Sequence, residues 1–292
     1  MTWREYEDEV AEELARCNPD ATVERGVWMD GALSGTRRQI DVVLRVPDLG
    51  PVVVEVKRYG RKVHVKDVES FVGMLQDVGA GHGLLVCPKG YSAAAVRRAW
   101  KGAEALDLDV LSLDDLRGYQ AFAGIPYAGS NGAWLWAPFG WVLDLDTGPL
   151  GREALAVLYR RGLTLERAMD EGEWMYVRCW LKDDTARTVA ELVDFQAAYM
   201  TELIGGVEIE MRAPPPHPVS PTALRVARYP DGQTVEVTGF VEFEGAMFFL
   251  VLLTTPEATE KNARKVAAAV AGLRSVQVQH PPGEGGASRE GV

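Results

Sequence analysis

The most regular apolar and polar pattern in this chain lies in residues 38–66, RQIDVVLRVPDLGPVVVEVKRYGRKVHVK. Residues 39–46 alternate, and residues 51–58 form a valine-rich run interrupted by a carboxylate and an amine. The stretch therefore predicts two short strands joined by the turn Pro47-Asp48-Leu49-Gly50-Pro51. Strand side chains alternate with period two, so Val53, Glu55 and Lys57 share one side, and Val52, Val54 and Val56 take the other. Asp41 sits among Ile40, Val42 and Val43 on the preceding strand.

Around this pair the pattern predicts a helix over 3–16, with Trp3, Tyr6, Val10 and Leu14 on one face and Glu7 beside it. Glu5, Asp8, Glu9 and Glu12 read as its solvated side. After the Asn18-Pro19-Asp20 break come a strand at 22–29 and a loop from Gly31 to Gly35. Downstream lies a helix at 65–78 that buries Val68, Phe71, Val72 and Leu75, then a strand at 83–87. A helix at 93–105 capped by Ser92, a closing strand at 108–113 and a short helix at 114–118 follow. This order describes a self-sufficient α/β domain over 1–118, with a sheet of mixed direction flanked by helices.

Residues 119–133 are small, Gly-rich and uncharged, and read as a linker. The second domain, 134–280, opens with WLWAPFGW and continues with a helix at 152–161, a strand at 174–181, a helix at 188–204 and a strand at 207–212. Three meandering strands span 222–254, turning at Pro230-Asp231-Gly232 and Glu244-Gly245, before a helix at 256–273 and a strand at 275–279. The expectation is an α+β domain with a largely antiparallel sheet, followed by a disordered tail at 281–292.

Composition narrows the possibilities. The longest apolar run, FFLVLLTT at 248–255, is too short to span a membrane, and MTWREYEDEV reads as the start of a charged helix, not a signal peptide. Cys17, Cys87 and Cys179 are scattered without zinc-ligand spacing, which suits a reducing cytoplasm. The net charge of −11 counts against a protein that coats nucleic acid indiscriminately. Lys and Arg number 16 against 20 Asp and Glu over 1–118, and 15 against 22 over 119–292, so the second half is the poorer nucleic-acid grip. One local ribbon runs the other way: Lys57, Arg58, Arg61, Lys62, His64 and Lys66 lie together without an acid, as a phosphate backbone requires. A solvated turn explains the same ribbon equally well.

An ionised carboxylate inside an apolar strand is costly unless a cation or donors compensate it. Asp41 and Glu55 on neighbouring strands, with Lys57 beside them, form a candidate Mg²⁺ site, since hard oxygen ligands suit that ion. Structural readings compete. Asp41 and Glu55 could pair with Lys57 or Arg38, Glu7 could be a surface acid, and Gln76 and His64 could be merely solvated. Trp134, Trp136, Phe139 and Trp141 read as core before they read as a base-stacking surface.

The order IDVV (40–43), VVVEVKRY (52–59) and VKDVESFVGML (65–75) resembles the PD-(D/E)xK nuclease superfamily, and within it the Mrr-type restriction endonuclease catalytic domain. GLLVCPKGYSAAAVRRA (83–99) resembles that group's strand, Gly-aromatic-Ser/Thr turn and helix. The resemblance covers about residues 4–115. It implies metal binding by Asp41 and Glu55, an assisting role for Glu7 and catalysis by Lys57. It departs from the family where GTRRQ replaces a Gly-rich approach to Asp41, where no proline precedes Asp41, and where Val56 stands in a place often held by Cys. The implied activity is a Mg²⁺- (or Mn²⁺-) dependent endonuclease acting on DNA in prokaryotic defence or repair, with Arg58, Arg61, Lys62 and Lys66 as backbone contacts. A homodimer is compatible with that activity. The alternatives are an inactive module of the same fold, or a nuclease for RNA or branched DNA. FFLVLLTTPEATEKNARKVAAAVAGL (248–273) resembles one strand-helix unit of the PsbP/Mog1-like α/β fold.

Overall fold

The computed structural model describes residues 2–18, 21–46, 50–58, 60–100, 106–117, 122–128 and 131–277. Helix α1 (Trp3–Cys17) starts at a reciprocal cap: the Thr2 hydroxyl accepts from the Glu5 amide while the Glu5 carboxylate accepts from the Thr2 amide. Strands β1 (Thr22–Asp30), β2 (Arg37–Val46) and β3 (Gly50–Val56) follow, then α2 (Val65–Asp77), β4 (His82–Val86), α3 (Ala93–Trp100), β5 (Asp107–Leu111) and α4 (Leu113–Arg117). The five strands form one sheet in the order β1-β2-β3-β4-β5. The first three pair antiparallel and the last three parallel, so the sheet is mixed as expected. Helices α1 and α4 cover one face through Tyr6, Val10, Leu14 and Leu116 packed on Val42, Leu44, Val52, Val54 and Val56. Helices α2 and α3 cover the other through Phe71, Leu75, Ala95 and Ala99 packed on Val43, Val53 and Leu85.

The second half comprises β6 (Phe122–Ala128), β7 (Asn131–Trp136), β8 (Trp141–Asp144), β9 (Ala156–Arg160), α5 (Leu165–Glu171), β10 (Trp174–Leu181), α6 (Val189–Ile204), β11 (Glu208–Arg212), β12 (Thr222–Arg228), β13 (Val235–Phe243), β14 (Ala246–Thr254), α7 (Thr259–Gly272) and β15 (Arg274–Gln277). Seven strands build an antiparallel sheet in the order β11-β12-β13-β14-β10-β9-β8, and β15-β7-β6 form a smaller one. Among the described residues no helix is long and apolar enough to cross a membrane.

Three expectations for this half need correction. The segment 119–133, expected as a linker, contains β6 and the start of β7; Ala123 and Ile125 face inward, but their neighbours are too small or bland to announce the alternation. The segment 152–161, expected as a helix, ends in β9. Ala156 and Leu158 are buried in one core and Val157 in another, so a strand covered on both faces shows a continuous apolar run that periodicity alone confuses with a helix. The aromatics 134–141 divide: Trp141 is 1% exposed, whereas Trp134 is 38% exposed and clusters with Phe122 and Trp136 on the outer face of the small sheet. Residues 47–49 of the expected turn, 101–105 of the expected helix, 278–279 of the last strand and the tail 281–292 lie outside the described residues.

The two halves meet along β5 through buried charges. Arg161 Nε lies 3.3 Å from Asp109 Oδ2, Lys265 Nζ lies 3.2 Å from Asp107 Oδ2, and Arg160 donates to the Leu108 carbonyl at 3.0 Å. Lys261 Nζ donates to the Trp100 carbonyl at the end of α3 (2.8 Å), a favourable position for a cation on the helix dipole.

Candidate active site

Strands β2 and β3 pair from Val46 opposite Gly50 down to Val42 opposite Val54, where the ladder ends. The next residues along that register, Asp41 and Glu55, fall beyond the ladder. Here the backbone partners are exchanged: the Val56 amide donates to Asp41 Oδ2 at 2.8 Å, and the Lys57 amide continues the parallel ladder to the Val86 carbonyl at 2.8 Å. The sheet forks at this point, and the Asp41 side chain spans the fork.

On the other side of β2 the register runs Arg25 opposite Val42 and Val27 opposite Ile40, which leaves Gly26 facing Asp41. Strict alternation fails at that pair. Val42 and Leu44 pack toward α1, whereas Ile40, which period two would put with them, packs toward α2 together with Val27 and Met29. Gly26 has φ +60°, a conformation that side chains on L-residues resist, and it lets the β1–β2 ribbon turn over one helix layer. On β3 the expected alternation holds, with Val53 toward α2 and Val52, Val54 and Val56 toward α1.

Glu55 and Lys57 form an ion pair, and both are largely buried. Arg38, the other cation considered for these acids, instead binds Asp77 at 2.7 Å. Burial pushes the Asp41 carboxyl up against the opposing pull of the Val56 amide and Lys57. Burial also raises Glu55, with the charges of Asp41 and Asp67 adding to it and Lys57 opposing. Glu7 on α1 is raised by burial and then by Asp41, which places it within electrostatic reach, while a hydrogen bond from the Trp3 side chain opposes the shift. Burial thus raises all three carboxyls, with Lys57 opposing the shift at Asp41 and Glu55, and an added cation would favour their charged forms. Asp41 and Glu55 are the two hard-oxygen donors on the strand ends that part here, the ligand type suited to an ion that retains waters. Among the described residues, no three His, Cys, Asp or Glu side chains come together as a metal-ligand group.

The basic ribbon leaves directly from this fork. Val63 is fully buried and bridges to Tyr91, its amide bonding the Gly90 carbonyl at 3.0 Å and its carbonyl accepting from Ser92, so the ribbon is stapled at its centre. Arg58, Lys62 and Lys66 are exposed. Arg61 pairs with Asp67 at 3.1 Å, and Asp67 also accepts from the His64 amide at the start of α2, so these two residues serve local structure. Gln76 is exposed. The pattern of the chain gave no weight to Asp77, Asp107 or Asp109, although acids within apolar surroundings were the signal that marked Asp41 and Glu55.

Residues 1–117 match the family model described as restriction endonuclease, Mrr_cat, and form a restriction-endonuclease-like domain. No curated protein matches this chain. Several solved structures show similarity, two of them as follows. The solution structure of cyanobacterial PsbP (CyanoP) from Synechocystis sp. PCC 6803 is 13% identical with a TM-score of 0.33, covering 55% of this chain and 95% of that one. The crystal structure of LpqN, involved in cell envelope biogenesis of Mycobacterium tuberculosis, is 13% identical with a TM-score of 0.35, covering 53% and 90%.

Proposed function

With a restriction-endonuclease-like N-terminal domain as the premise, we propose that the protein is a divalent-metal-dependent endonuclease that hydrolyses DNA phosphodiester bonds, in prokaryotic defence or repair. One observation carries the reading: the Asp41 carboxylate spans the β2–β3 fork to the Val56 amide, opposite the Glu55–Lys57 pair. Asp41 and Glu55 would hold Mg²⁺ or Mn²⁺. When bound, the ion polarises a phosphoryl oxygen and lowers the pKa of a coordinated water. Lys57 would orient the attacking water or stabilise charge developing on the phosphate. Glu7 adds negative charge beside Asp41, and Arg58, Lys62 and Lys66 hold flanking phosphates.

Cleavage of supercoiled plasmid in Mg²⁺ or Mn²⁺, abolished by Asp41→Ala and by Lys57→Ala, is the expected result. A second reading has its own support in the two-carboxylate donor set, which lacks a third ligand among the described residues: a module that retains the fold and binds nucleic acid without cutting it. No cleavage of plasmid, RNA or branched DNA, with DNA affinity unchanged in Asp41→Ala, would establish that reading instead.

A further inference from the structure

Asp77 closes α2 at the end where the helix dipole disfavours an acid, and it is 3% exposed. Such a carboxylate persists only with strong compensation, and the β1–β2 hairpin supplies it. The Leu33 and Ser34 amides donate to Oδ1 at 3.1 and 2.8 Å, and the Ser34 hydroxyl and Arg38 Nε donate to Oδ2, each at 2.7 Å. The Ala32 amide adds a bond to the Asp77 carbonyl at 2.7 Å. The loop is shaped around this group: a Cβ on Gly31 would stand 2.5 Å from Asp77 Oδ2, so only glycine lets the chain close over it.

The placement of this clamp matters because β3 pairs with β2 only from Val42 onward. Residues 37–40 overrun the fork, supported by β1 and by α2, and Arg38 is held three residues before Asp41. Helix α2 thus grips, through the side chain at its C-terminal end, the hairpin that carries Asp41.

We propose that Asp77 is a positioning residue for Asp41, clamping the hairpin tip to α2 so that the ribbon's turn at Gly26 aims the Asp41 carboxylate across the fork at Glu55. The role given to Asp41 rests on the nuclease reading; the clamp itself does not. The test uses the full chain with Asp77→Ala and Asp77→Asn, together with Ser34→Ala/Arg38→Gln should Asp77→Ala fail to fold. Hydrogen exchange at the amides of residues 40–43 should quicken about tenfold or more in Asp77→Ala, with the amides of β4 unchanged. Mn²⁺ affinity should weaken about 10- to 100-fold, as for other groups that orient a ligand without touching the metal. Asp77→Asn, which keeps an acceptor for the two loop amides, should fall between.

Wild-type exchange at 40–43 in a folded Asp77→Ala variant overturns the clamp. Faster exchange with unchanged Mn²⁺ affinity overturns the positioning role. Absence of Mn²⁺ binding by the unaltered chain overturns the nuclease reading, and the exchange rates then uphold or overturn the clamp by themselves.

Discussion

Gly26 and Asp41 lie at the one gap in the β1–β2 ladder, between the pairs Arg25–Val42 and Val27–Ile40, and the ribbon changes the layer it packs against there. The positive φ of Gly26 is what the turn costs in conformational terms. A β-carbon there raises the energy of the left-handed backbone by about 1–2 kcal/mol. Gly26→Val should therefore lower stability by about that amount and loosen Asp41. Gly26→Asn, a residue that tolerates this conformation, should recover most of the loss. Urea unfolding midpoints of the two variants check it.

Asp41 has two separable duties, accepting from the Val56 amide and carrying charge. Asp41→Asn keeps an acceptor, so it should cost less than about 1 kcal/mol while cutting plasmid cleavage by about 100-fold or more. Asp41→Ala strands the amide and should cost about 1–3 kcal/mol in addition. Paired thermal melts and cleavage assays distinguish the two.

Burial raises Asp41, Glu55 and Glu7 together, so folding without a metal takes up protons and these groups weaken the fold as pH rises above the ordinary carboxylate range. A divalent ion reverses that penalty. At pH 7, Mn²⁺ at a hundred times its dissociation constant should stabilise the chain by about 2.7 kcal/mol. Removing the ion with a chelator, or replacing Glu55 by Gln, should abolish the increase in melting temperature.

Asp77 behaves oppositely. The Ser34 hydroxyl, then Arg38 and the loop amides, hold its carboxyl down to about 2. Its contribution is fully present above the unfolded value near ~3.9 and is lost as pH falls through about 2. The difference in melting temperature between the unaltered chain and Asp77→Asn should therefore be constant above about pH 5 and shrink toward pH 2.

The interface along β5 should fail when one charge is removed. Lys265 is 5% exposed, bonds the Phe139 carbonyl at 2.8 Å and neutralises buried Asp107. Lys265→Met removes one of the three side chains that face that acid, beside His82 at 3.5 Å and Arg264 at 3.9 Å, and should cost about 3 kcal/mol, visible as a lower urea midpoint. A midpoint within about 1 kcal/mol of the unaltered chain would show that the two halves do not depend on this contact.

Much of the nuclease-like domain is readable in the chain because its information is local. The valines of β3 alternate about Glu55 and Lys57, and Tyr6, Val10 and Leu14 recur at helical spacing. An acid between apolar neighbours signals a compensating partner wherever it occurs. In the second half that clarity fades. The run from Ala156 to Leu158 carries no period because both faces of β9 are covered, and the Ala and Gly of β6 pack without a strong apolar signature.

By itself, then, the sequence determined which segments of the first domain extend and which coil, and that Glu55 and Lys57 share one side of a strand, because each follows from residues close along the chain. Only the tertiary structure decided that Ile40 leaves the layer of Val42, that the loop at 31–36 closes over Asp77, and that Arg160 reaches the carbonyl of Leu108. Those outcomes depend on groups distant in sequence sharing buried space. There, an unmet charge or amide is expensive, and its partner is whichever donor the fold brings near.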